Sequence, residues 1–160
     1  MSGDCCCSGV CSFSPYQRKS DEESREHGVG RARILVADDH EAIRQTVVHL
    51  LQREFDVLET VNDGRSLVEA VDRLKPDLCV LDISMPVLSG IQAASILKRI
   101  EPPPKLIFLT IHDDEDFVRE ALDTGAEGYV IKERMASDLI FAVKAVLDGH
   151  TFVSKLASTN

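Results

Sequence analysis

The sequence contains no apolar stretch that approaches the roughly 20 residues needed to cross a bilayer. Its N-terminus also lacks the apolar core of a secretory signal peptide. These absences predict a cytoplasmic protein with no membrane partner. The formal net charge is −9 and no cluster of lysine and arginine is present. Direct binding of DNA or RNA by these residues is therefore not expected.

Cysteine is almost confined to one short segment. Four of the five cysteines lie in CCCSGVC, residues 5–11, and the fifth is Cys79. Adjacent cysteines rarely satisfy disulfide geometry, and the segment has neither a histidine nor a second Cys-x-x-Cys motif to complete a zinc site. We interpret residues 1–30, rich in serine, glycine and charge, as a disordered leader, with metal capture, acylation and redox chemistry as alternatives. Cys79 is predicted to lie in the core.

The rest of the chain alternates between two hydrophobic periods. Short apolar segments predict five strands, namely ARILVA, FDVLETV, DLCVLDI, KLIFLT and GYVIK, and helical periodicity separates them. Parallel strands need crossover connections, so this order predicts an α/β fold: a doubly wound, five-stranded parallel sheet with five helices. We place this domain at residues 31–155, followed by the start of a linker or tail at 156–160.

Polar residues follow four of the predicted strands. They are Asp38 and Asp39 after the first, Asp82 after the third, Thr110 at the end of the fourth and Lys132 after the fifth. Each alone is explained as a helix cap or a solvated lysine. Because ligands of doubly wound sheets bind at the carboxyl ends of strands, the complete set favours a site. Three carboxylates suit a hard cation, Mg²⁺ above all.

At the level of motifs, residues 31 to about 155 resemble the receiver domain of two-component response regulators. The matching motifs are ADDH, DISMPVLSG from Asp82 to Gly90, KLIFLT ending at Thr110, and GYVIK ending at Lys132. The segments VADDH, DTGAEGYVIKE and AVKAVLDGHTFVS resemble the NarL/FixJ subfamily more than the chemotaxis type. The resemblance implies a flavodoxin-like fold and a phosphorelay function, with a sensor histidine kinase as partner.

The resemblance also implies roles for the acidic residues. Asp82 would accept the phosphoryl group, and the protein would be a signalling domain with at most slow self-dephosphorylation, not an enzyme. Asp39, Asp82 and the backbone carbonyl of Ser84 would coordinate Mg²⁺, while Asp38 would hold the ion through water. These assignments fit the chemistry, because phosphoryl transfer depends on placement and charge neutralisation.

Further roles follow for residues around the acceptor. Lys132 and Thr110 would each contact a phosphoryl oxygen, and Thr110 with Tyr129 would form the switch. Ser84 and His112 would tune the lifetime of the phosphoryl group. Tyr129 is alternatively a core tyrosine, and His112 a surface histidine. Many receivers have proline after the lysine, whereas this chain has Glu133, which leaves the isomer of that bond open.

The resemblance also predicts what the receiver controls, and two other functions remain to be compared with it. NarL/FixJ receivers are normally followed by a LuxR-type helix-turn-helix, so the chain is either part of a longer transcription factor or a stand-alone regulator acting through protein contacts. A phosphorylation-dependent homodimer is also expected. An adaptor that has lost phosphorylation is one rival. A haloacid dehalogenase-type phosphatase is another, but Ser84 and His40 occupy the positions where its second aspartate would lie.

Overall fold

The computed structural model describes residues 30–156. Its strands are β1 Arg33–Ala37, β2 Asp56–Val61, β3 Leu78–Leu81, β4 Lys105–Thr110, β5 Gly128–Ile131 and β6 Phe152–Val153. Its α-helices are α1 Glu41–Leu51, α2 Gly64–Leu74, α3 Gly90–Leu97, α4 Glu115–Asp123 and α5 Met135–Leu147, with a 3₁₀ turn at Lys132–Arg134. None of the helices in this described part of the chain is long and apolar enough to span a bilayer. Residues 1–29 of the predicted leader and residues 157–160 of the predicted linker or tail lie outside the described residues.

All strands are parallel and lie in the order β2-β1-β3-β4-β5-β6. The predicted doubly wound α/β fold with five helices is confirmed. The sheet has one strand more than predicted, because β6 follows α5 and pairs with β5. Two residues are too short to show a period-2 pattern. Gly149, with φ of 91°, lets the chain reverse after α5.

Side chains of the strands alternate between two apolar cores. In β1, Ile34 and Val36 face α1 and α5, whereas Leu35 and Ala37 face α2, α3 and α4. Cys79 of β3 is fully buried, as predicted, in the core that contains Leu35 and Ala37. Because both faces of the sheet are covered, the strands read as continuous apolar segments in the sequence.

Helix N-termini lie at the edge of the sheet where the strands end. Asp63 caps α2 by accepting a hydrogen bond from the Ser66 amide at 2.8 Å. Ser89 and Gln92 form a reciprocal capping box at the start of α3. The order of the strands reverses between β1 and β3, which is where doubly wound sheets place their ligand sites.

Candidate functional site

An acidic cluster occupies that switch point. Asp38 and Asp39 follow β1, Asp82 follows β3, and the Asp82 amide donates to the carbonyl oxygen of Ala37 at 2.9 Å. Asp38 and Asp82 are buried, and Asp39 is exposed. One ligand atom from each of these three residues and from His40 lies within 4.8 Å of the others. The structure therefore brings together the three carboxylates that the sequence placed at strand ends.

Lys132 reaches into this cluster from the end of β5. Its Nζ lies 2.7 Å from Asp38 Oδ2 and 3.3 Å from Asp82 Oδ2, and its side chain is only 8% exposed. The one cis peptide bond among the described residues lies elsewhere, so the bond from Lys132 to Glu133 is trans. The lysine thus contacts both buried carboxylates without the proline that many receivers have after it.

The surroundings of Asp82 raise the pKa of its carboxyl group, so nearby positive charge is needed to keep it ionised. Burial raises the pKa of Asp82, Lys132 opposes that change, and the negative charge of Asp38 raises the pKa further. The Ser84 amide also donates to this carboxylate and favours its ionised form. A divalent cation beside the lysine would complete the neutralisation.

Asp38 provides a specific observation in favour of a cation. Its Oδ2 is buried and lies at ion-pair distance from Lys132, yet no hydrogen-bond donor is aligned with it among the described residues. Because a carboxylate oxygen has two lone pairs, Asp38 Oδ2 can accept from a metal-bound water while it stays paired with Lys132. The oxygen-rich donor set of Asp38, Asp39 and Asp82 fits Mg²⁺.

Two residues near the acidic cluster had no assigned role in the sequence analysis. His40 Nδ1 lies 2.8 Å from Asp39 Oδ1, and the His40 amide donates to Asp38 Oδ1 at 2.8 Å. Arg44 Nη1 donates to the Asp38 carbonyl oxygen at 2.7 Å. The sequence spacing could have indicated both residues, because His40 directly follows the acidic pair and Arg44 lies one helical turn after His40. Both residues hold the loop after β1.

The predicted switch residues are joined through the backbone of His112. The His112 amide donates to Thr110 Oγ1 at 3.2 Å, and the Tyr129 hydroxyl donates to the His112 carbonyl oxygen at 2.8 Å. Thr110 and Tyr129 are fully buried. The His112 ring stacks on Phe117 of α4, with a centroid distance of 4.1 Å. The sequence predicted a role only for the side chain of His112, whereas its peptide groups make the connection.

Two glycines allow the loop between β3 and α3 to pack tightly. A Cβ on Gly90 would lie 2.0 Å from the carbonyl oxygen of Asp82, and a Cβ on Gly64 would lie 2.1 Å from that of Leu88. Ser84 lies in this loop and is exposed. Gly90 belongs to the motif that begins at Asp82, whereas none of the motifs contains Gly64. Both are required by close backbone approach.

Comparison with protein families gives a match that covers most of the described residues. The model described as response regulator receiver domain matches residues 34–144. The chain belongs to this family. The predicted family is therefore confirmed. Receiver domains of response regulators are signalling domains.

Curated relatives of this receiver include DegU and NreC. The transcriptional regulatory protein DegU of Brevibacillus brevis is 38% identical over 132 residues, which are 81% of this chain and 56% of DegU. The oxygen regulatory protein NreC of Staphylococcus haemolyticus (strain JCSC1435) is 34% identical over 131 residues, 80% of this chain and 60% of NreC. The receiver thus spans 56 to 60% of the length of these two relatives.

Solved structures agree with the NarL-type resemblance. The signal receiver domain of the putative response regulator NarL from Mycobacterium tuberculosis matches with a TM-score of 0.72 and 30% identity, covering 75% of this chain and 98% of that one. A LuxR-family response regulator from Aurantimonas sp. SI85-9A1 matches with a TM-score of 0.74 and 28% identity, covering 78% and 91%.

Proposed function

We propose that this receiver accepts a phosphoryl group on Asp82 from a phosphohistidine of a sensor histidine kinase, in a Mg²⁺-dependent reaction. The observation that carries the proposal is the arrangement of Asp82, a buried carboxylate whose Oδ2 lies 3.3 Å from Lys132 Nζ. Beside it lies Asp38 Oδ2, which accepts no hydrogen bond in the described part of the chain. This environment combines a nucleophile with charges that can neutralise an incoming phosphoryl group.

The residues that would hold Mg²⁺ are Asp39, Asp82 and the Ser84 carbonyl, with Asp38 acting through water. When bound, the ion supplies positive charge that lets an anionic donor approach the carboxylate. Support for this assignment comes from the oxygen donor set and from Asp38 Oδ2, which is ion-paired with Lys132 but accepts no hydrogen bond from the described residues. His40 lies in the same cluster and orients Asp39, whose Oδ1 is 2.8 Å from the ring nitrogen.

The remaining steps use the side chains of this chain. An oxygen of Asp82 attacks phosphorus, the bond from phosphorus to the donor nitrogen breaks, and the donor nitrogen keeps the electron pair. Lys132 neutralises one phosphoryl oxygen, and the Thr110 hydroxyl donates to another. The Thr110 hydroxyl also accepts from the His112 amide, so movement of this side chain toward the phosphoryl group would couple phosphorylation to the loop after β4.

Labelling of the full chain tests this proposal. With acetyl phosphate and Mg²⁺, we expect one stable label on each chain. Asp82→Asn abolishes labelling, and Asp39→Asn severely slows it and weakens Mg²⁺ binding. Asp72→Asn is the matched control, because Asp72 is exposed on α2 and pairs with Lys75. Normal labelling of Asp82→Asn refutes the assignment, whereas continuous phosphate release indicates a phosphatase and absence of a label indicates an adaptor.

For the output, we propose that the receiver controls transcription through a DNA-binding part of a longer protein. DegU, a relative, is named as a transcriptional regulatory protein. The runner-up is a stand-alone regulator that acts through protein contacts. With a net charge of −9, the chain as given is expected not to shift duplex DNA at physiological salt. Sedimentation with and without beryllofluoride tests the expected phosphorylation-dependent homodimer.

A further inference from the structure

A buried serine in the segment after α5 contacts the strand that carries the lysine. Ser154 is 1% exposed, and its amide donates to the Tyr129 carbonyl oxygen at 2.8 Å. Its hydroxyl accepts from the Ile131 amide at 3.3 Å. The ladder between β5 and β6 ends at the pair of Tyr129 and Val153. The Ser154 hydroxyl therefore takes the place of a further strand partner for Ile131, the residue immediately before Lys132.

The hydroxyl of Ser154 is fixed in turn by a buried carboxylate. It donates to Asp138 Oδ2 at 2.7 Å, and the same oxygen accepts from Arg134 Nε at 3.1 Å. The Ser137 hydroxyl donates to Asp138 Oδ1 at 2.7 Å. Desolvation raises the pKa of Asp138, but the hydrogen bonds from Ser154, Ser137 and Arg134 outweigh it and hold the pKa below its usual value. Asp138 is therefore ionised at neutral pH.

Hydrogen bonds with Ser154 and Asp138 reach both ends of the turn that carries Lys132. Ser154 holds the backbone of Ile131 on one side, and Asp138 holds the side chain of Arg134 on the other. None of these contacts involves the acidic cluster itself.

We propose that Ser154 and Asp138 are positioning residues, which hold the turn Lys132–Arg134 so that Lys132 Nζ stays beside Asp38 and Asp82. This inference rests on the proposed function, because it assigns the cluster a role in phosphoryl acceptance. It also means that the segment after α5 contributes a residue to the geometry of the site. Such a residue acts through Lys132 and does not touch the phosphoryl group.

The first test is Ser154→Ala in the full chain, labelled with acetyl phosphate at saturating Mg²⁺. We expect labelling to slow about tenfold, a barrier higher by about 1.4 kcal/mol, because the hydroxyl contacts with both Ile131 and Asp138 are lost. The Mg²⁺ dissociation constant, measured by calorimetry, does not rise, because the proposed ligands lie at the ends of β1 and β3. Ser95→Ala is the control, since Ser95 is exposed on α3 and its hydroxyl donates to the Ile91 carbonyl oxygen of the same helix.

A double-mutant cycle separates positioning from general loosening of the fold. In a Lys132→Ala background, Ser154→Ala should slow the residual labelling less than twofold. If Ser154→Ala unfolds the chain, Asp138→Asn replaces it in the same cycle, since its amide keeps the size of the carboxylate.

Three results overturn the positioning role: an equal slowing in both backgrounds, weaker Mg²⁺ binding, or unchanged labelling of a folded variant. Absence of labelling in the unaltered chain instead refutes the proposed function itself. The two failures are therefore distinguishable.

Discussion

Replacing Gly90 with alanine tests how closely the acceptor loop is packed. Gly90 is the first residue of α3, and a Cβ there would lie 2.0 Å from the Asp82 carbonyl oxygen and 2.9 Å from Ile83 Cα. Both atoms belong to the backbone and cannot rotate away. Ordinary contact begins at 3.4 Å, so one backbone must move by about 1.4 Å, and the residue displaced is the proposed phosphoacceptor.

The expected magnitudes follow from that displacement. Overpacking of this kind costs about 3 kcal/mol, the upper end of the usual range, because no flexible side chain absorbs it. For a domain of this size, the melting temperature should fall by about 10 °C. A shift of about 1 Å at a reacting group can slow a reaction roughly 100-fold, and we expect a loss of this order in labelling of Asp82.

The assay compares thermal melting with labelling by acetyl phosphate at a temperature where the variants are folded. Gly149→Ala is the control, because among the described residues no atom beyond its chain neighbours lies within 4 Å of the added Cβ, although φ is 91°. That variant should lose about 1 kcal/mol from its strained backbone while keeping its labelling rate. If Gly90→Ala melts like the unaltered protein and is labelled at the same rate, the close approach of Gly90 to Asp82 does not exist in solution.

Three further predictions concern buried groups outside the acidic cluster. Tyr129→Phe should lower the free energy of unfolding by about 1 kcal/mol, since the His112 carbonyl loses its hydrogen bond; an unchanged urea midpoint would contradict this. The folded-state pKa of Asp138 lies below 3.8, so its stabilisation is complete above that value and is lost as pH falls through the folded-state pKa. Asp138→Asn should therefore be less stable at neutral pH and show a shallower acid dependence of the urea midpoint; parallel curves would exclude this role. Burial raises the pKa of the Cys79 thiol, so peptide mapping after alkylation should find Cys79 unmodified in the native chain and modified in urea.

Much of the fold followed from local pattern. Strands buried on both faces appear as short apolar segments, and helices appear as apolar stripes, because each period is a property of the backbone. Once the order of strands and helices was known, the crossover rule placed Asp38, Asp82 and Lys132 at one edge of the sheet, where the structure has them. The strand β6 was missed because two residues carry too little pattern to be recognised.

The motif that begins at Asp82 likewise indicated Gly90 from the sequence, but its reason did not follow from the sequence. Only the packed backbone shows that a Cβ would collide with the carbonyl of Asp82. The role of Gly64 was hidden for the same reason, since its partner Leu88 is distant in the chain and belongs to a loop without a regular period.

The sequence by itself determined which chemical groups gather at the site. Hydrophobic periodicity locates the strand ends, and the order of the elements places the acidic residues and the lysine that follow them at one edge of the sheet. Tertiary structure alone decided how those groups are held. Two sets of hydrogen bonds join residues of different elements. One connects Ser154 with Asp138 and Ile131, and the other connects Thr110 with Tyr129 through the His112 backbone. Such hydrogen bonds depend on sub-ångström placement of side chains and peptide groups after the layers have packed, and no spacing in the sequence encodes that placement.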